Sequence, residues 1–230
     1  MSELDLERRG LIAAAVLGVA GLTAAPALAA APGPAFEAKP LPFDPTSIAG
    51  LSDKLLISHH DNNYVGAVKR LGAITAEVAG LDPTTAPGYR INGLKREELI
   101  AWNSMILHEI YFAGLGPPTP PGRVATTLIE RDFGSFERWQ AEFVAMGKAR
   151  GGGSGWVVLT WSHRDQRLVN QWAADHTMAL ADSTPVLVLD MYEHAYAIDY
   201  GAKAAAYVDA FMQVIDWRNA GRILGRAAAT

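Results

Sequence analysis

A rigid proline-rich run divides this sequence into two parts with different patterns. The run Pro117-Pro118-Thr119-Pro120-Pro121 can neither continue a helix nor supply the donors of a sheet ladder. Before it, apolar residues recur at helical spacing. After it, one helical region is followed by short apolar runs bounded by glycine-rich turns. We therefore predict an N-terminal arm and helical hairpin domain over residues 30–116 and an α+β domain over residues 122–230.

The predicted elements give the fold class. Two helices form the hairpin, one following Ser52 to about Ala79 and one over residues 95–112. In the second part we predict a helical region over 126–148 with Ser135 as a cap, strands over 156–161, 167–172 and 185–189, and a closing helix over 200–215. The run 185–189 is wholly apolar, which favours a buried central strand. The expected class is α+β, a helical hairpin followed by an α/β half with a small three-stranded antiparallel sheet.

Residues 1–29 have the order of a signal peptide. Arg8-Arg9 precedes an apolar stretch too short to span a membrane, and Ala27-Leu28-Ala29 is a small-residue cleavage pattern. The paired arginines favour a twin-arginine-type signal. A Sec-type signal or an uncleaved lipid-facing anchor stays open. We expect cleavage near Ala29 and a periplasmic or secreted mature protein.

Composition excludes several classes of partner and site. The formal net charge is −4 and the basic residues are scattered, so we expect neither nucleic acid nor, for the mature form, a membrane as a partner. The chain has no cysteine, which excludes thiol catalysis, disulfides and thiolate metal sites. A metal would therefore need nitrogen and oxygen ligands, for which six histidines are available.

Several histidines and one carboxylate lie close to the ends of predicted elements. Asp190 directly follows the apolar run 185–189, where burial of a carboxylate is costly unless it is paired or binds a metal. His108 lies on an apolar helix face, and the other histidines of this set are His59, His60, His176 and His194. Each alone is also expected as a hydrogen-bonded core residue. Together they predict a nitrogen-rich site with one anionic oxygen, suited to iron, manganese, zinc or copper.

Other catalytic patterns are absent from the sequence. His108-Glu109 begins like a zinc-protease motif, but position 112 is Phe112 instead of the second histidine. The glycine-rich loop at 151–155 lacks the Gly-Lys-Ser/Thr ending of a phosphate-binding loop. No Gly-x-Ser-x-Gly elbow occurs there either, because position 156 is Trp156.

One segment resembles a family signature. Asp190-Met-Tyr-Glu-His194-Ala-Tyr196 resembles the Asp-x-Trp-Glu-His-Ala-Tyr string of the iron/manganese superoxide dismutases. Further segments resemble that family in order and spacing: Leu41-Pro-Phe43, His59-His60, His108-x-x-Tyr111, Phe133-Gly-Ser-Phe136, Gly153-Ser-Gly-Trp156 and Tyr207 through Trp217. The resemblance covers about residues 40–217, which is nearly all of the chain after the predicted signal.

The resemblance implies a metal site and an activity. It implies one iron or manganese ion per chain, with a solvent molecule as fifth ligand and four protein ligands at His59, His108, Asp190 and His194. The implied function is an antioxidant oxidoreductase, a superoxide dismutase that converts its small-molecule substrate superoxide to O2 and hydrogen peroxide.

The groups expected beside the metal depart from the family pattern. The family places a glutamine near the bound solvent. Here the helix position is Ser104 and the later position is His176, where some family members, notably archaeal ones, also carry histidine. We interpret His176 as the partner of the bound solvent; a surface histidine is the alternative. Trp156 is expected to line the metal cavity or simply to fill the core, and Tyr192 replaces the signature tryptophan.

The family's gateway residues are missing at the matching positions. Counting from His59 puts Ala67 where the gateway tyrosine belongs and Asn63 where a histidine belongs, while Ala197 replaces a second tyrosine. Tyr64 lies one helical turn before Ala67 and could present its hydroxyl to the same entrance. Packing or solvent exposure of Tyr64 is the alternative.

Glu193 matches the residue that crosses the two-fold interface in the family, which implies a homodimer; an exposed carboxylate is the alternative. Two other functions stay open at this point. One is a non-dismutase metal-binding protein of the same fold that has lost the proton relay. The other is a nitrogen/oxygen iron centre that performs oxygenation.

Overall fold

The helical region that carries His59 is α-helical at both ends and π-helical in the middle. The computed structural model describes residues 36–229, so the predicted signal and the start of the predicted arm lie outside the described residues. After a short 3-10 turn at Pro45–Ser47, helix α1 spans Asp53–Ser58, a π-helical segment spans His59–Tyr64 and helix α2 spans Val65–Ala79. As predicted, Ser52 caps α1, accepting the backbone N–H of Leu55.

Helix α3, Gly88–Ala113, packs against α2 to complete the hairpin. It begins seven residues earlier than the predicted start at Lys95, so that boundary was wrong. The two glycines in residues 88–93 weaken the helical pattern, but Pro87 directly before the helix supplies its start, with its carbonyl accepting from Arg90.

Two helices follow the proline-rich run, α4 over Arg123–Phe133 and α5 over Phe136–Ala149. They meet at Gly134, whose φ of +90° ends α4. Ser135 then caps α5 as predicted, accepting the backbone N–H of Arg138. The start of this region differs from the prediction by three residues and its end by one.

The antiparallel sheet contains β1 over Trp156–Ser162, β2 over Arg167–Ala173 and β3 over Ser183–Asp190, in the order β2-β1-β3. The central strand is therefore β1, and the predicted central position of residues 185–189 was wrong. The strand β3 is apolar because α3 and the C-terminal helix over Trp217–Ala227 cover it. Pro185 fits this edge position, because it lies opposite Thr160 where the register shifts.

The chain ends in a 3-10 turn at Glu193–Ala195 and three helices: α6 over Ala197–Tyr200, α7 over Ala204–Met212 and α8 over Trp217–Ala227. The predicted single helix over 200–215 was wrong, since Gly201 with φ +52° separates α6 from α7. Helix α8 was not predicted. Asp216 caps it by accepting the backbone N–H of Arg218.

Both predicted domains contribute to one hydrophobic cluster, which includes Leu55 and Tyr111 from the hairpin and Val157, Leu189 and Phe211 from the second part. The α+β class with a three-stranded antiparallel sheet is confirmed. The division into two domains stays a prediction. Within residues 36–229, no helix combines the length and hydrophobicity that a membrane span requires.

Candidate metal centre

Four side chains from separate elements meet where the hairpin packs on the sheet. His59 begins the π-helical segment, His108 lies in α3, Asp190 ends β3 and His194 lies in the 3-10 turn that follows. One potential ligand atom from each lies within 4.8 Å of all the others. The structure thus brings together the four residues that the resemblance implied.

The three imidazoles converge on a single carboxylate oxygen. Oδ2 of Asp190 lies 3.1 Å from Nε2 of His59, 3.2 Å from Nε2 of His194 and 3.5 Å from Nε2 of His108. His59, His108 and Asp190 are buried, whereas His194 is partly exposed. The open side of the cluster is therefore at His194.

The hydrogen bond made by His108 fixes its tautomer. Its Nδ1 lies 2.6 Å from the carbonyl oxygen of Ser104, and a carbonyl can only accept. The proton of the neutral ring is thus on Nδ1, and the Nε2 lone pair faces the cluster. This Nε2 is buried and has no hydrogen-bond partner in the described part of the chain. An unpaired buried lone pair is costly unless a metal occupies it.

The charges of the cluster also suit a cation. Burial lowers the pKa of His108 to about 3, and the neighbouring His59 acts in the same direction, so its imidazole is neutral at pH 7. Burial alone would raise the pKa of Asp190, but its interactions with His194 and His59 bring it well below its usual range. Three imidazole nitrogens and one carboxylate form a donor set that fits iron or manganese.

The other carboxylate oxygen of Asp190, Oδ1, accepts a backbone hydrogen bond. Oδ1 accepts the backbone N–H of Tyr192 at 2.8 Å, so the carboxylate is oriented with Oδ2 towards the imidazoles. This bond belongs to the turn that follows β3, which also carries His194. The same turn therefore positions two of the four side chains.

Three of the predicted neighbouring side chains lie beside the cluster. The ring centroid of Trp156 is 5.2 Å from that of His108, and the ring of His176 is 6.2 Å from it. Tyr192 stacks on His194 with centroids 5.3 Å apart. Burial lowers the pKa of His176 and raises the pKa of Tyr192 to about 12.

The hydroxyl of Tyr64 lies away from the four clustered side chains. Its hydroxyl accepts the backbone N–H of Lys39 at 2.9 Å and donates to Oε1 of Glu109 at 3.0 Å. The ring of Phe112 lies 6.3 Å from that of Tyr64 and 5.0 Å from that of His59. Tyr64 lines a pocket of about 290 Å³ that none of the four clustered side chains lines, and no described contact joins its hydroxyl to them.

Glu193 is exposed in a surface depression that also involves Gly152, Gly153 and His194. Its carboxylate makes no hydrogen bond or ion pair to any side chain among residues 36–229. It is therefore free on the surface next to a clustered histidine, and its predicted role at a dimer interface stays a prediction.

Two contacts in this region were not expected from the sequence. Nδ2 of Asn103 donates to the backbone carbonyl of His176 at 2.6 Å, and the indole Nε1 of Trp156 donates to Nδ1 of His176 at 3.0 Å. The sequence carries no signal for either, because the partners lie 73 and 20 positions apart and belong to different elements.

Comparisons with known proteins agree with this geometry. Residues 121–222 match the family model described as iron/manganese superoxide dismutases, C-terminal domain. The chain is 67% identical over 185 residues to a protein named superoxide dismutase [Fe] from Cupriavidus metallidurans, covering 80% of this chain and 94% of that protein.

More distant relatives include both metal types. A superoxide dismutase [Mn] 1 of Halobacterium salinarum is 33% identical, with 79% of this chain and 91% of that protein covered. A superoxide dismutase [Fe] of Methanothermobacter marburgensis is 30% identical, with 78% of this chain and 90% of that protein covered.

Proposed function

The chain belongs to the iron/manganese superoxide dismutase family, and we infer from this membership and from its metal centre that it is a superoxide dismutase. It converts two superoxide anions and two protons to O2 and hydrogen peroxide, and it binds one iron or manganese ion per chain. The observation that carries this conclusion is the convergence of three imidazole nitrogens on Oδ2 of Asp190, with the Nε2 of His108 buried and unpaired.

The protein's own residues prepare the site for this reaction. Bound iron or manganese supplies the one-electron redox change. Asp190 contributes the single negative charge among the ligands, so the centre with its metal keeps a net positive charge that attracts an anion. Ser104 holds His108 with its lone pair inward, and the turn after β3 fixes Asp190 and His194.

The ring of His176 presents an N–H that can donate a hydrogen bond. Because its Nδ1 accepts the indole N–H of Trp156, the proton of its neutral ring is on Nε2. This N–H can donate to solvent in the metal cavity. We propose that His176 replaces the family's glutamine in this role, and that the gateway groups are absent at Ala67, Asn63 and Ala197.

The central experiment compares metal content and dismutation of the purified protein. Wild-type protein loaded with iron or manganese is expected to disproportionate superoxide faster than an equal concentration of the free ion. His108→Gln should lose both metal and activity. The matched control is His163→Gln, because His163 bonds Thr184 Oγ1 at the far end of the sheet. A metal-loaded wild type no faster than the free ion refutes the proposal.

The alternative of a metal-binding protein without turnover is favoured by the alanines at positions 67 and 197, where the family carries tyrosine. It predicts full metal occupancy with negligible dismutation, so the same experiment separates the two functions. Introducing Ala67→Tyr would then restore a gateway side chain and raise the rate.

We propose that residues 1–29 direct export and that the mature protein is periplasmic or secreted. Support comes from the order of Arg8-Arg9, the apolar stretch and Ala27-Leu28-Ala29. Mass spectrometry of the exported protein should give a new N-terminus near Ala29. Replacing both arginines by lysine should block export of a twin-arginine substrate, while a Sec substrate would still be cleaved.

We also propose a homodimer that includes Glu193. The exposed carboxylate lies beside His194, so a partner surface there would cover the open side of the metal centre. Glu193→Ala is expected to weaken self-association in sedimentation velocity, whereas the exposed Glu137→Ala should not. A wild-type protein that sediments as a monomer at micromolar concentration contradicts the dimer.

A further inference from the structure

The pocket that Tyr64 lines has the size of a small-molecule site. Its volume is about 290 Å³, and its lining residues come from the N-terminal arm, the π-helical segment, α3 and α8. This volume is at the lower end of the about 300–1,000 Å³ that is usual for small-molecule sites. The pocket, which we call the arm pocket, therefore suits a ligand of modest size.

Half of the residues that line the arm pocket are apolar. Phe112 is buried, and the prolines of the arm are exposed, so the apolar surface extends from the interior to the rim. The apolar lining residues are Pro40, Pro42, Ile110, Phe112, Ala113 and Ile223. A ligand with an apolar body gains free energy when it displaces water from these side chains.

The polar groups on the arm side of the pocket already have partners. The Tyr64 hydroxyl donates to Glu109, and the ammonium group of Lys39 pairs with the same carboxylate. Nε2 of His60 lies 2.8 Å from the carbonyl oxygen of Lys39, and Nδ1 lies 2.7 Å from Oδ1 of Asp61. Because Lys39 balances Glu109, this carboxylate does not give the arm pocket a net negative charge.

The polar groups on the α8 side have unused donors. Nη2 of Arg222 donates to Oδ1 of Asn219 at 2.5 Å, and Asn219 is only 8% exposed. Because a guanidinium can only donate, the amide oxygen of Asn219 must face Arg222, which leaves its Nδ2 group to donate elsewhere. Among residues 36–229, nothing accepts from this Nδ2 and no carboxylate pairs with Arg222. The arm pocket is thus lined by an uncompensated positive charge beside a buried amide donor.

The helical spacing of α8 places these two donors together. Asn219 and Arg222 are three positions apart and are therefore neighbours on one helix face. Two further arginines lie one turn away on either side, but Arg218 is paired with Asp216, and Arg226 does not line the pocket. Arg222 is therefore the arginine of α8 whose charge is available to a ligand in the arm pocket.

We propose that the arm pocket binds a small monocarboxylate with an apolar body, such as a medium-chain acid. The carboxylate accepts from the guanidinium of Arg222 and from Nδ2 of Asn219, and the body covers the apolar lining residues. A cation is disfavoured by the charge of Arg222, and a neutral apolar molecule leaves the buried Asn219 donor without a partner. The site does not involve the metal, so this inference is independent of the proposed function.

Calorimetric titration of metal-loaded full-length protein with octanoate tests the proposal. Octanoate is expected to bind at one site per chain. Octan-1-ol lacks the charge and acetate lacks the apolar body, so each should bind at least about tenfold more weakly. Absence of octanoate binding, or equal binding of octan-1-ol, overturns the proposal.

Two substitutions locate the octanoate on the protein. Arg222→Gln removes the charge and should weaken octanoate binding at least about tenfold. The matched control is Arg226→Gln, one helical turn further along α8, which should leave the affinity unchanged. Ala113→Leu keeps Arg222 but fills part of the pocket from α3, and it should also weaken binding. Wild-type affinity in either Arg222→Gln or Ala113→Leu overturns the assignment to the arm pocket, so the test stands even where one variant is too unstable to study.

A further variant separates this site from the metal centre, where a carboxylate could also bind. His108→Gln should lose the metal and keep the octanoate affinity, because no ligand residue lines the arm pocket. Loss of octanoate binding together with the metal assigns the ligand to the metal centre and overturns the proposal. A wild type that binds octanoate through Arg222 but shows no dismutation refutes the proposed function and leaves this inference standing.

Discussion

Nδ1 of His108 donates to the backbone carbonyl of Ser104, one helical turn earlier, at 2.6 Å. Because the acceptor is a backbone atom, the tautomer of His108 is determined by α3 itself and not by any neighbouring side chain. The Nε2 lone pair is therefore directed inward before a metal binds. This preorganisation means that the metal-free fold must keep a buried histidine neutral, which makes its stability depend on pH.

The metal-free protein is expected to lose stability as pH falls from about 6.5 to about 3. The pKa of His108 is about 3 in the fold, below its ordinary value of 6.5. In this window the unfolded chain binds more protons than the folded chain, so the free energy of unfolding rises with pH by about 1.4 kcal/mol per unit for such a group. Burial lowers the pKa of His59 as well, which adds to the slope.

Urea unfolding of metal-free protein at several pH values measures this slope. His108→Gln is expected to reduce it, whereas His163→Gln should not. Asp190, whose pKa lies well below its usual range, contributes in the same direction only below about pH 4. A free energy of unfolding that is constant between pH 4 and 6.5 would contradict the buried neutral state of His108.

Asp190→Asn tests how much the negative charge of Asp190 contributes to metal affinity, because asparagine has nearly the same size and shape. Asparagine can keep an oxygen in place but removes the negative charge among three imidazoles. We expect metal affinity to fall at least by the 10- to 100-fold that loss of an outer-sphere partner costs. Competition with a chelator measures this. Asp182→Asn, on the loop before β3, is the control, and equal affinities of the two variants would count against Asp190 as a ligand.

Gly147 in α5 lies directly against the strand that ends at Asp190. A Cβ there would meet Leu189 Cδ2 at 2.8 Å and the methyls of Val208 at 3.2 Å. Gly147→Ala is therefore expected to lower the free energy of unfolding by about 1–3 kcal/mol. Gly66→Ala in α2 has no heavy atom within 4 Å and should stabilise by up to about 1 kcal/mol. Denaturant melts of both variants test the pair, and a Gly147→Ala protein as stable as wild type would show that the helix and strand can move apart.

Tyr64→Phe tests whether the Tyr64 hydroxyl stabilises the fold through Lys39 and Glu109 or acts at the entrance to the metal site. The hydroxyl binds the backbone of Lys39 and the carboxylate of Glu109, and the side chain of Lys39 also pairs with Glu109. Its removal should cost about 1 kcal/mol of stability and leave the dismutation rate within about twofold. A tenfold loss of rate without loss of stability would instead support the gateway role predicted from the sequence.

The parts of the molecule that could be predicted from sequence are those specified locally. Ser52 and Ser135 cap the helices they precede, and Asp190 follows an apolar run too buried for an unpaired carboxylate. Once the signature around His194 was recognised, the resemblance also indicated which histidines would meet Asp190. These features depend on residues that lie within a few positions of one another along the chain.

The features that were not predicted depend on packing between distant elements. The apolar run of β3 arises from coverage by α3 and α8, which sequence alone cannot distinguish from a central strand. Helix α8 is an exception: its buried residues Trp217, Ala220, Leu224 and Ala227 recur three or four positions apart, so its amphipathic pattern was present in the sequence and was missed. The direction of the Tyr64 hydroxyl was decided by Lys39, 25 positions earlier, and the polar role of Trp156 by His176.

The π-helical segment His59–Tyr64 has a consequence for insertions and deletions. Its wider winding is seen in the bond from the Val65 N–H to the carbonyl of His60, five residues back. Deleting one residue between these two would let Val65 bond the carbonyl four residues back, as in an ordinary α-helix. Because the wide turn already accommodates this extra residue, α2 would keep its rotation relative to α1, and Val68 and Leu71 would stay against the core. A single deletion within α2 itself would instead turn its buried face by about 100°, so the wide turn is where this helical region can best lose a residue.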